Sequence, residues 1–158
     1  MRTFVVRGGA MAAAAVIAAG CGSSSAGSQT NITQSEFKPN FGQVVNQFKQ
    51  TSRAIGLAIE HASGQSDAQL TAIFSALAAR WQGDVTKLKA LKPPPSVAAQ
   101  YQTLTGAATR TETDLNAIVT AAKTHDASAA KQAGGQLVKD ILQAKAASQT
   151  ITSKLGIG

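Results

Sequence analysis

The sequence carries one cysteine, Cys21, and two histidines, His61 and His125, in 158 residues. One thiol cannot close an internal disulfide and cannot supply a cysteine-rich metal knuckle. Two histidines leave little material for a histidine-based metal centre. Aromatic residues make up 4% of the chain and charged residues 15%. The apolar run from Ala10 to Ala19 is too short to span a bilayer as a helix. No nucleophile elbow or Ser-His-Asp spacing is present. Gly134-Gly135 follows no strand, so there is no phosphate-cradling loop. Glu36, Glu60 and Glu112 are not followed three residues later by histidine, which excludes a ferritin-like di-metal oxidase. These absences predict a non-enzymatic chain with no cofactor. A hydrophobic content of 44% excludes a disordered chain, and the length is that of one ordinary domain.

What is present begins at the N-terminus. Arg2 and Arg7 precede an alanine-rich run that ends Ala18-Ala19-Gly20-Cys21 and continues Gly22-Ser23-Ser24-Ser25. Residues 1–20 read as a secretory signal. Small residues before a cysteine resemble the lipobox of bacterial lipoproteins. The resemblance implies that the signal is cut before Cys21 and that the Cys21 thiol carries a diacylglycerol. Two acyl chains anchor stably, because each buried methylene contributes about 0.8 kcal/mol. The expected location is extracytoplasmic, on a membrane and not across it. The chain as a whole is similar in style to small alanine-rich helical surface lipoproteins of high-GC Gram-positive bacteria. Cys21 and the Ser/Gly-rich residues to 35 read as lipid site and flexible tether.

Residues 36–158 carry hydrophobic spacings of three and four and no period-two pattern. The first run places Phe37, Phe41, Val44, Phe48, Ile55 and Ile59 on one stripe, with Pro39 in its first turn and Gly64 at its end. The second opens on the capping-box pattern Ser66-Asp67-Ala68-Gln69. Its stripe is Leu70, Ile73, Leu77, Trp81, Val85, Leu88 and Leu91, and Pro93-Pro94-Pro95 stops it. The third is expected to start from Ser96 as N-cap. It runs Val97, Tyr101, Leu104, Ala108, Thr111, Leu115, Ile118 and Ala122. The fourth is capped by Asp126 and follows Ala130, Gly134 (or Ala133), Leu137, Ile141, Ala144, Ser148, Ile151 and Leu155, with Gly156 closing it. Short connections make consecutive helices antiparallel neighbours, so the expected fold is an all-α, up-down-up-down four-helix bundle. Trp81 reads as a core anchor.

Three groups of residues invite functional readings. His61, His125 and Asp126 would share one end of such a bundle and are candidates for a metal; helix capping is the plainer reading of them. Gly56, Gly134 and Gly135 would lie level on the first and fourth helices. They suggest either close backbone packing or a gap admitting an apolar ligand, because an interior glycine costs roughly 1 kcal/mol relative to alanine. The net charge is +7, and in an up-down arrangement the basic excess collects at the tether end. Lys38, Lys87, Lys89, Lys92 and Lys154 there would face anionic lipid, at about 1 kcal/mol each. Nucleic acid is not an expected partner, since the aromatics sit on stripes and not between basic residues. The expected function is a membrane-anchored helical module that binds a surface protein or a small ligand, or acts as an accessory subunit. The alternatives are a carrier of an apolar molecule in the core and a metal-binding rim.

Overall fold

A computed structural model describes residues 34–157. Four long helices hold most of them: α1 (Gln34–Glu60), α2 (Asp67–Ala90), α3 (Ala98–Lys123) and α4 (Ala127–Leu155). Single 3-10 turns at Ala62–Gly64 and Pro95–Val97 occupy the first two connections. There is no strand among the described residues, and this part of the chain is all-α. The leader, Cys21 and most of the tether lie outside the described residues.

Local chemistry explains the helix ends. Ser66 forms the full capping box: its hydroxyl accepts from the Gln69 amide at 3.3 Å, and its own amide donates to Gln69 Oε1 at 2.8 Å. Asp126 caps α4 by accepting from the Ala129 amide at 2.9 Å. Three boundaries differ from expectation. The first helix ends at Glu60, and Gly64 closes only the 3-10 turn that follows it. The first helix already begins at Gln34, so Pro39 sits in its second turn and the last two tether residues are helical. Ser96 caps nothing. Pro94 is extended and leads into a 3-10 turn that begins at Pro95, and α3 starts one residue after Val97. At the other end of α3, His125 takes the left-handed conformation, φ 56°, that glycine usually supplies. The Asp126 amide reaches back to the Ala121 carbonyl at 2.9 Å, and the His125 amide reaches the Ala122 carbonyl. Gly156 does the same for α4 at φ 61°, followed by a bond from the Ile157 amide to the Thr152 carbonyl.

The apolar stripes converge on one core. All eight stripe positions of α3, from Val97 to Ala122, are buried. In α1 the expected phenylalanines and Ile55 are buried, joined by Val45 and Thr51. One position in α2 is displaced. Ile73 stands 37% exposed, and Phe74 takes its place at 3%. Phe74 lies three, four and seven residues before Leu77, Ala78 and Trp81, all buried, so it sits at the centre of that face.

Two aromatic donors fix α2 against α3. The Trp81 indole donates to the Ala108 carbonyl at 2.8 Å. In the opposite direction, the Tyr101 hydroxyl on α3 donates to the Leu88 carbonyl on α2. Burial pushes the Tyr101 phenol well above its ordinary range, so it remains a donor. Residue numbers rise along α2 as they fall along α3. The same holds for α1 against α2. Lys87 donates to Gln47 at 3.0 Å, and Thr51 donates to Asp84 at 2.7 Å. The N-terminal turns of α1 come to the same place: Phe37 stacks on Phe41 and meets Tyr101 edge-on at 5.7 Å between ring centres.

Candidate functional site

The His61, His125 and Asp126 side chains do not form one ligand set. Asp126 is committed to capping α4, and His125 Nδ1 is bonded to the Asp67 carboxylate in the first turn of α2. Among the described residues no group of three His, Cys, Asp or Glu side chains is placed to hold a metal ion. A helix cap accounts for Asp126 and a contact with Asp67 for His125.

The glycines also depart from the close-packing expectation. A Cβ built on Gly56, Gly134 or Gly135 would meet nothing within 4 Å. They are not sites of backbone approach, because α1 and α4 make the sparsest contact of the neighbouring helix pairs. The helices separate enough to leave a groove, but it lies further along the pair than the glycines.

That groove, of about 350 Å³, runs between α1 and α4. Its floor is Phe48, Trp81 and Leu104, all buried. Phe48 meets the Trp81 ring edge-on with centres 4.7 Å apart. Val45 on one wall and Ile141 and Ala144 on the other continue the apolar lining. The facing positions nearer solvent are short: Ser52 from α1 and Ser148 from α4. Short side chains opposite a bulky floor leave volume that neither helix fills. The rim carries Lys49, Arg53 and Lys145, all exposed. Trp81 is thus the core anchor and also part of the groove floor. The α1, α3 and α4 lining could not be assembled from the separate stripes, because it depends on which faces of α1 and α4 meet.

Of the expected membrane-facing lysines, Lys87, Lys89, Lys92 and Lys154 are exposed and Lys38 is half-buried. Phe37 against Tyr101, Tyr101 to Leu88, and Gly42 beside Ile157 draw together the segments that bear them.

A second charged cluster lies across α3 and α4. Arg110 donates to Asp140 at 2.9 Å, and Asp114 sits beside Asp140 with its Oδ2 buried and lacking a hydrogen-bond partner. Burial raises the Asp114 carboxyl above the ordinary 3.8, the Asp140 carboxylate raises it further by its charge and by hydrogen bonding, and Arg110 opposes them. A raised value means that the folded state holds this proton more tightly than the unfolded chain. The stability tied to it is fully present below 3.8 and is lost as pH rises through the folded value. Asp114→Asn is expected to stabilise the chain more at about pH 7 than at about pH 4. Urea midpoints at the two pH values measure this, and an identical effect at both would refute it.

Compared with protein-family models, with curated proteins and with solved structures, the chain matches none.

Proposed function

We propose that this protein is a lipid-anchored module of the extracytoplasmic face, an up-down-up-down four-helix bundle that binds a small ligand and catalyses no reaction. The observation that carries the binding part is the groove between α1 and α4, with an apolar floor and a polar rim. Pockets of roughly 300–1,000 Å³ with mostly apolar linings and a few polar groups are the usual form of small-molecule sites. The anchoring part rests on the sole cysteine standing directly after Ala18-Ala19-Gly20. No described helix is long and apolar enough to cross a membrane. The bundle topology is supported by the short connections and by the opposed numbering of paired residues on α1 and α2 and on α2 and α3. In that topology Lys38, Lys87, Lys89, Lys92 and Lys154 lie at the tether end and rest against anionic lipid.

The anchor is tested by detergent phase partitioning of the full chain expressed in a Gram-positive host. The native chain is expected in the detergent phase with a diacylglyceryl mass on Cys21, and Cys21→Ala in the aqueous phase. Equal partitioning of the two would overturn the reading.

A further inference from the structure

The charge around the groove is one-sided. Lys49 and Arg53 stand on α1 and Lys145 on α4, all on the rim. The α1 helix has no acidic residue from Phe37 to Ile59, and α4 has none from Ile141 to its end. The Arg110–Asp140 ion pair and the His125–Asp67 contact involve no rim cation. Three unneutralised cations thus converge on an apolar cleft. Scattered surface lysines need no explanation, but a cleft lined by one sign of charge concentrates ligands of the opposite sign.

We propose that the α1–α4 groove binds a single-chain anionic amphiphile of the fatty-acid class. The carboxylate lies at the rim among Lys49, Arg53 and Lys145, and the alkyl chain lies against Phe48, Trp81 and Ile141. The size agrees with the chemistry. A methylene is about the size of a water molecule, which occupies about 30 Å³, so a groove of about 350 Å³ takes roughly ten to twelve heavy atoms. A chain of that length buries its methylenes while the head remains at the exposed cations. Arginine provides a planar fork for a carboxylate, and the two lysines supply mobile point charges beside it. The proposal rests on the reading of this groove as the binding site and adds the ligand class to it.

The sole tryptophan of the chain, Trp81, is buried at the groove floor against Phe48 and reports occupancy through the change in its surroundings. The test uses the full chain carrying Cys21→Ala, so that no acyl group of its own competes. Sodium dodecanoate below its micellar concentration is titrated while Trp81 emission is followed, with calorimetry for stoichiometry. Saturable one-to-one binding is expected. Dodecyltrimethylammonium should bind about tenfold or more weakly, as should dodecanol, because neither is drawn to the rim charge. The triple variant Lys49→Gln, Arg53→Gln, Lys145→Gln should lose about tenfold or more in dodecanoate affinity with unchanged circular dichroism. Ser148→Phe, which fills the groove from a half-buried rim position, should abolish binding to the native floor.

If dodecanol binds as well as dodecanoate, with saturation at Trp81, the anionic class is wrong and the groove stands as a site. If no amphiphile perturbs Trp81, the groove reading itself falls. Vesicles of anionic phospholipid form the last arm. Binding to them that the triple variant loses, with no dodecanoate binding at all, would assign the rim to a membrane surface and overturn the proposal.

Discussion

Replacing Trp81 by alanine should lower stability by about 3–5 kcal/mol, the cost typical of removing a large buried aromatic. Natural domains have only about 5–15 kcal/mol in total, so this one truncation removes a large share of the stability. The indole is 1% exposed, packs edge-on against Phe48 of α1 and donates to the Ala108 carbonyl of α3. It therefore joins three helices at one level. Trp81→Phe separates the contributions. Phenylalanine keeps most of the apolar contact but loses the indole donor, and the cost should fall to about 1–2 kcal/mol. Chemical denaturation followed by circular dichroism at 222 nm measures both. A Trp81→Ala loss below about 1 kcal/mol would show that the core does not depend on this anchor.

The second large effect concerns Thr51 and Asp84. Both are buried, Thr51 fully and Asp84 at 5% exposure. Thr51 Oγ1 bonds Asp84 Oδ2 at 2.7 Å and also the Gln47 carbonyl at 3.1 Å. Thr51→Val keeps the shape and removes the donor, leaving a buried carboxylate without this bond. The expected cost is about 2–3 kcal/mol. Asp84→Leu in the same background should recover most of it, because replacing both partners by apolar groups removes the desolvation penalty along with the bond. The double-mutant cycle is the measurement. Strictly additive losses would show that the two side chains do not depend on each other.

These two sites differ in how visible they are beforehand. Trp81 falls on the 3.6-residue stripe of its own helix, so its burial is legible from spacing alone. Asp84 also lies three residues after Trp81, but it is no part of the apolar stripe and nothing near it in the sequence pairs with it. Only the facing Thr51, thirty-three residues earlier, shows why it can be buried. The case of Ile73 and Phe74 is similar. Both lie within the apolar arc of α2, and the choice between them depends on where the neighbouring helices press.

The sequence by itself determined the helices, most of their ends and most of the core. Those features arise from interactions within a few residues: the Ser66–Gln69 box, the Asp126 cap, the left-handed Gly156 and the three-four spacing from Val97 to Ala122. It also placed Cys21 after its run of small residues, which lies outside the described part of the fold. Tertiary structure alone decided what the small residues of α1 and α4 do. Spacing offered two readings of Gly56, Gly134 and Gly135: close packing of the two helices, or a gap at the glycines themselves. Instead the bulky pair Phe48 and Trp81 sits beneath them further along, while Ser52 and Ser148 are too short to close the space above. The result is a groove with Lys49, Arg53 and Lys145 around it. No single stripe encodes that opening, because its width depends on how far two helices distant in sequence are held apart by side chains on a third.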